Sequence, residues 1–417
     1  MTPARMRLLD HFYISCFWLA YNFHWGALLA IVLPSQIASI VGDSRKELYN
    51  GLIPSIGAAI SLIATPLAGA LSDRSRNRFG RRRPYMATGT AINIAFLLVI
   101  AGFGSGSSIW PFLLCYLGVQ FGNNWSGGPY AGLIPDVVPR DQRGTASGWL
   151  ALMTAAGFLL GALAAGRLIR GQSYWPIYGA VIAVLALVLA VTLWRVKERA
   201  LAEDPGPFRA GAFARSFILR GAEYHDFYFV LFTRALVTMG IYSIFTFFQF
   251  FLADVIRVEN PVLHSSFLIA IIIATGIPTS LVAGRLSDRY GRKPLVYLSG
   301  GLMALASISF IVVGFFPSLQ ATFWIGALFG IGYGAYQAVD WALAIDVLPK
   351  GGAAGKDMGI WHVSLVLPQM IAPALTGLML SAFKGASLRL GYTIVFALTA
   401  VWFVLGTVFV RQIRGAR

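Results

Sequence analysis

The chain has 417 residues, 57% of them hydrophobic and only 12% charged, with a mean hydropathy of +0.70. A water-soluble protein of this length needs far more polar surface around its core, so a soluble enzyme or soluble binding domain is excluded. The formal net charge of +16 does not indicate nucleic acid either, because Lys and Arg sit in short gaps between apolar runs.

The apolar runs are about twenty residues long, the length that crosses a ~30 Å hydrocarbon layer as helix. Lipid cannot satisfy free backbone N–H and C=O groups, so such runs must be helical. Spans are expected near 12–37, 50–72, 84–104, 109–138, 144–167, 174–194, 226–252, 262–286, 294–316, 320–347, 357–381 and 390–412. Arg5 and Arg7 precede a first run that is too long for a signal peptide and has no small-residue cleavage site. With both termini cytoplasmic, 25 of the 33 Lys and Arg fall on the cytoplasmic side and seven on the outer side, while Arg234 lies inside a span. That asymmetry sets the orientation. Cys16 and Cys115 lie within apolar runs, more than ninety residues apart, and read as buried free thiols.

The one long polar stretch, 195–225, divides the spans six and six. It reads as a cytoplasmic linker between bundles at 1–194 and 226–417, and is either a solvated loop or carries a short amphipathic helix around Phe213–Leu219. The two halves repeat. Phe12 and Tyr13 recur as Phe227 and Tyr228, and GALSDR at 69–74 recurs as GRLSDR at 284–289, both at an offset of 215. After the longer first loop the offset falls to 210, so Pro84 matches Pro294 and PDVVP at 135–139 matches IDVLP at 345–349. Parallel repeats about an axis normal to the membrane describe one transporter architecture, with a solute site near the midplane.

The repeated block comprises Gly69, Asp73, Arg74, Gly80 and Arg81, then Gly284, Asp288, Arg289, Gly291 and Arg292. It resembles the signature loop of the major facilitator superfamily. The glycines would allow close helix approach, the aspartates would accept from a neighbouring helix N-terminus, and the arginines would pair with carboxylates or lipid phosphate. Such contacts would make and break as the cytoplasmic side closes and opens; the plainer alternative is a set of positive-inside anchors.

SDRSRNRFGRRRPYM at 72–86, FHWGALLAIVLPSQIASIVG at 23–42 and NNWSGGPYAGLIPD at 123–136 resemble the plant sucrose–proton symporters and their animal relatives. These belong with the wider glycoside–pentoside–hexuronide symporters. The resemblance implies an all-α major facilitator fold of twelve transmembrane helices in two pseudo-symmetric six-helix bundles. It also implies a secondary, proton-driven symporter of a saccharide or glycoside, and helices one, four, seven and ten as the cavity lining. Two departures stand out. Gln120 occupies the position where the sucrose symporters carry a carboxylate thought to take up the proton. Ser61 and Thr65 fall where the melibiose-type sodium symporters carry acids, when prolines are aligned on Pro66.

Ionisable groups inside a span default to functional candidates. Asp340 is the carboxylate deepest in a span, and Arg234 is a basic residue at a comparable depth on the seventh. They are expected to pair, either as a coupling switch released by proton or solute or as a fixed structural ion pair. His24, mid-span beside Tyr21, Asn22 and Trp25, could relay a proton, bind a sugar hydroxyl or bond to a neighbouring helix. His362 reads as structural, and His11, His225 and His264 as interfacial. Candidate solute-binding residues are Asn22, His24, Trp25, Gln120, Asn123, Asn124, Tyr242, Gln249, Tyr336, Gln337 and Trp341, with Trp125 nearby. Amides and aromatics with one acid and one base suit a neutral polyol, although any of these amides could equally be interhelical glue. Export of amphipathic compounds and lipid or lysolipid translocation are the competing functions. No nucleotide loop or Cys/His cluster is present in the sequence, so neither a cofactor nor a metal is expected. The expected partners are a small solute, a coupling proton in preference to sodium, and membrane lipids, with the chain acting as a monomer in a bacterial inner membrane.

Overall fold

The computed structural model describes residues 6–169, 171, 173–198, 211, 224–347 and 354–414. Most of the linker, including Phe213–Leu219, lies outside the described residues. Among the described residues there are twelve long helices: α1 (Leu8–Val41), α2 (Lys46–Asp73), α3 (Arg83–Ile100), α4 (Ile109–Val137), α5 (Arg143–Leu168), α6 (Trp175–Arg195), α7 (His225–Phe245, resuming as Phe248–Phe251), α8 (Pro261–Tyr290), α9 (Arg292–Phe315), α10 (Leu319–Asp346), α11 (Ala354–Phe383) and α12 (Leu388–Val408). Ten of them are long and apolar enough to cross a membrane by length and composition among the described residues. The other two, α4 and α10, have 29 and 28 residues, or more than ~40 Å of helix at ~1.5 Å per residue.

The fold is therefore an all-α membrane fold. The chain forms two compact units. One comprises Met1–Val41 and Ile56–Arg209; the other comprises Gly42–Ser55 and Ala210–Arg417. The outer end of α2, residues 46–55, thus packs with the second unit while the rest of the helix belongs to the first. In the first unit α1 packs along α5 and α6, and α3 along α4 and α6; in the second, α7 packs along α11 and α12, and α9 along α10 and α12. The same pairings recur, as the sequence repeat requires.

Lipid offers helices no hydrophobic reward for association, so close contact rests on small residues and interhelical hydrogen bonds. On α5, Gly157 and Gly161 are four residues apart, and a Cβ at either would strike the backbone carbonyl of Leu19 or Phe23. At Gly284, by contrast, an added Cβ meets nothing within 4 Å, and at Gly69 it would make only ordinary contact with Gly128. The close approach expected at these two signature glycines is therefore not present among the described residues. The tight α2–α4 crossing lies instead at Gly128, against the Thr65 carbonyl.

Both bundle-leading helices are irregular. α1 widens into a π-turn at Leu28–Val32, and the 215-residue offset carries that segment onto 243–247, where α7 breaks after Phe245. The seventh span, expected as one unbroken stretch, is therefore interrupted by a turn at Thr246 and Phe247. It continues to a second π-turn at Leu252–Ile256. Irregular turns of this kind concentrate at functional sites.

Replacing Gly161 with Val should lower the thermal unfolding midpoint in detergent, a loss of about 1–3 kcal/mol from overpacking. The same change at Gly179, where nothing lies within 4 Å of an added Cβ, should leave the midpoint unchanged.

Candidate functional site

In the second unit, α7 and α10 bring the intramembrane charges together. Arg234 Nη1 donates to Asp340 Oδ2 at 2.7 Å, and Tyr336 Oη, one turn earlier on α10, donates to Asp340 Oδ1 at 3.0 Å. Arg234 and Asp340 are 7% and 5% exposed. A charge this deep is tolerable only with its partner, and here each carboxylate oxygen has its own donor. Tyr336, one of the candidate solute-binding residues, is part of this cluster. Tyr333 accepts a 3.3 Å bond from Gln337. Gln337 and Trp341 are exposed, one and two turns beyond Tyr333 on the same face of α10. Tyr242 accepts from Gln369 of α11, and Gln249 is buried about four turns along α7 from Arg234. A cluster of Phe245, Phe329 and Tyr333 rings, with centroids about 6 Å apart, flanks this region.

In the first unit the amides bond mainly to each other. Gln120 donates to Tyr116 Oη at 2.8 Å, Asn124 donates to Gln120 O and Oε1 at 2.8 and 3.0 Å, and Thr65 Oγ1 donates to Asn124 Oδ1 at 3.0 Å. Asn22 turns back to the Trp18 carbonyl. His24 is fully buried beside Asn123 and 4.7 Å from the Trp25 ring, yet neither ring nitrogen reaches hydrogen-bond geometry. Asn93 Nδ2 contacts Asn123 Oδ1 at a long 3.4 Å, leaving Asn123 Nδ2 and Asn93 Oδ1 unpartnered. Buried groups of this kind each forgo about 1–3 kcal/mol. Trp125 stacks on Phe121 and lies 5.9 Å from Tyr85, beside α3. His11, expected at the interface, is buried; the side chain of His362 lies outside the described residues. Cys16 and Cys115 are free, the first buried and the second half-buried.

At the cytoplasmic ends, the repeated block builds the same knot in each unit. Arg292 reaches Ser287 Oγ at 2.6 Å, Asp288 at 2.5 Å and Asp346 at 3.1 Å. Arg82 reaches Ser72 Oγ at 2.9 Å, Asp73 at 2.5 Å and Asp136 at 2.9 Å. Asp73 and Asp288 therefore pair with an arginine of their own loop, where a helix N-terminus had been the expected partner. Aligning the two loops on Gly80 and Gly291, both at positive φ, sets Arg81 opposite Arg292. Aligning on Pro84 and Pro294 finds Arg82, the residue that occupies the equivalent place. Arg81 adds a further contact to Asp136. Arg74 bonds to the Ala70 carbonyl at 3.3 Å, and Arg289 stacks over Tyr290 at 5.3 Å.

The first knot has a member without counterpart. Glu198, three residues past α6 and with a side chain 3% exposed, accepts from Arg82 N at 2.8 Å and Arg83 N at 3.4 Å and lies 3.7 Å from Arg81. Burial raises its pKa above the usual glutamate range, against the pull of those two backbone N–H groups. An added Cβ at Gly80 would strike the Glu198 carboxylate, and one at Gly132 would strike the Arg82 guanidinium. The knot closes only because both positions are glycine.

The sequence profile of the Major Facilitator Superfamily matches residues 14–355, most of the chain. The chain belongs to the major facilitator superfamily. It is a multi-pass transporter of the plasma membrane and not an enzyme. Transporters of known structure share its fold. A bacterial homologue of the human lysosomal transporter Spinster, inward-facing and unoccupied, aligns with a TM-score of 0.72 at 16% identity over 97% of this chain and 96% of that one. The nucleoside transporter NupG aligns with a TM-score of 0.69 at 15% identity over 98% and 100%. In sequence, the chain is 32% identical to multidrug resistance protein MdtG of Escherichia fergusonii and 31% identical to MdtG of Citrobacter koseri, each over 180 residues. Those alignments cover 42% of this chain and 42% of each relative.

Removing one partner of a buried pair strands the other charge, a cost of about 3–5 kcal/mol, whereas removing both can be nearly neutral. Arg234→Leu and Asp340→Leu should each lower the unfolding midpoint sharply, and the double variant should recover most of that loss. Additive losses would mean the two residues act independently.

Proposed function

We propose that this superfamily member is a secondary active carrier working by alternating access, driven by proton movement, for a small neutral polyhydroxylated solute of the saccharide or glycoside class. The observation that carries the coupling half of this reading is the Arg234–Asp340–Tyr336 cluster. It is the one place among the described residues where an acid and a base deep in the hydrocarbon hold each other, with bonds that a proton on Asp340 would weaken. Protonation removes the carboxylate charge that Arg234 binds and weakens the link between α7 and α10. Binding of the solute to the Arg234 side chain would link proton and solute. The absence of a titratable group at Gln120 favours placing coupling here, because Gln120 is tied to Tyr116 and Asn124.

The substrate half rests on the resemblance of the first loop and the first and fourth helices to sugar symporters, and on amides and aromatics at Asn22, Trp25, Gln249, Gln337 and Trp341. One observation favours a second reading, export of amphipathic compounds. The partial likeness is to proteins named for multidrug resistance.

Purified protein in liposomes should decide between them. Uptake of a panel of labelled saccharides and amphipathic cations would be measured with and without an imposed pH gradient. The expected result is accumulation of at least one saccharide that depends on the gradient and is lost in Asp340→Asn, while equilibrium exchange persists. Gradient-driven movement of the cations alone would replace this reading with the second. Accumulation by Asp340→Asn equal to the parent's would remove the coupling role.

A further inference from the structure

The repeat explains the cytoplasmic knots, yet a second cluster of charges follows no repeat. It lies in the second unit at the outer end of α2. Lys46 Nζ contacts Asp254 Oδ1, beyond the break in α7, at 2.6 Å and Asp43 Oδ1 at 2.7 Å. Lys384, at the outer end of α11, places Nζ 2.8 Å from Glu47 and 3.4 Å from Asp43. These are not loose surface pairs: Glu47 has a fully covered side chain, and the Lys46 and Asp254 side chains are 8% and 13% exposed. Below the charges the backbones nearly touch, since an added Cβ on Gly377 would lie 2.5 Å from the Glu47 carbonyl and 2.9 Å from Gly51 Cα. Asn50 Nδ2 then caps the Thr246 carbonyl, freed by the α7 break, at 2.8 Å.

The 215-residue offset sets Pro261 and Val262 opposite Lys46 and Glu47, so the fold itself does not require these charges. They are also poorly suited to a permanent bond. Three carboxylates meet two ammonium groups, and Asp254 Oδ2 and Asn50 Oδ1 are buried without a partner. Each such atom forgoes free energy that water would return on opening. Buried ion pairs add little net stability, but a partner left alone is strongly driven to hydrate. Charges so arranged can hold a position and still release it.

We propose that the outer end of α2 is a reversible latch, with Lys46 and Glu47 gripping Asp254 of α7 and Lys384 of α11 in one state of the transport cycle and letting go in another. This rests on the alternating-access reading. Residues 42–55 pack with the second unit, while the same helix continues into the first at Ile56. Any movement that separates α2 from α7 and α11 at this end must break both pairs, and the charges then face outer water.

The test reads opening directly and needs no solute. Cys16 and Cys115 are replaced by alanine, and a single cysteine is placed at Ser55, which is 7% exposed and two turns inward from the charges. A membrane-impermeant maleimide is then added from outside to right-side-out vesicles. Lys46→Ala and Lys384→Ala should each label at Ser55→Cys about tenfold faster than the parent, the change given by a shift of ~1.4 kcal/mol toward the open state. The exchanged pair Lys46→Asp with Asp254→Lys should return labelling to near the parent rate. No acceleration in the single variants overturns the latch. Fast labelling in the exchanged pair as well would show general loosening and overturns it equally. Solute uptake on the same vesicles keeps the two readings apart, because the latch can fail while gradient-driven uptake persists.

Discussion

A guanidinium and a carboxylate about 2.7 Å apart inside a membrane constrain everything around them. Neither charge could remain at that depth alone, so α7 and α10 must present Arg234 and Asp340 to each other and Tyr336 must fill the second carboxylate oxygen. The glycines of α10 serve this constraint. Gly330 and Gly334 let α10 lie against α8 at Ile272 and Gly276 with backbone contact, which fixes the helix that carries Asp340. A rigid scaffold around one releasable ion pair is what a coupling element needs. The same pair on a loosely packed helix would simply find water.

At the cytoplasmic ends, the physics is similar but the design is paired. One arginine in each unit ties a serine, the aspartate after it and an aspartate at the end of the fourth helix of its bundle. Charge-assisted bonds of this kind are about twice as strong as neutral ones, and their shared geometry makes Arg82 and Arg292 the fixed points of their loops. Glu198 makes the first knot heavier than the second. It links the end of α6, where the chain leaves the first bundle, to the loop between α2 and α3. The outer charges at Lys46 and Lys384 have no such symmetry, so the two ends of the molecule are built on different rules.

Much of this was legible in the sequence, for physical reasons that differ by feature. Helix number and direction follow from hydropathy and the placement of arginine, because lipid enforces both. The Arg234–Asp340 pair was legible because lone charges in a span are rare and must find each other. Arg82 is harder to read, because Arg81 follows Gly80 as Arg292 follows Gly291, while the match of Pro84 to Pro294 makes Arg82 the counterpart. Glu198 and Lys384 belong to no motif or repeat, and only the fold shows which neighbours they meet. The bonding of Gln120 to Tyr116 and of Tyr336 to Asp340 was equally hidden: four-residue spacing permits such pairs without saying whether the side chains will choose each other or a ligand. The break in α7 at Thr246 and Phe247 carries no proline or glycine to announce it.

The central claim is that Asp340 takes and gives up a proton in the course of transport. Infrared difference spectroscopy on the purified protein in lipid, between acid and neutral pH, tests it most directly. The expected spectrum contains a protonated-carboxyl C=O band that is absent from Asp340→Asn and shifted in Tyr336→Phe, since Tyr336 donates to that carboxylate. A spectrum from Asp340→Asn identical to the parent's would show that Asp340 stays ionised throughout, and that its pairing with Arg234 is structural.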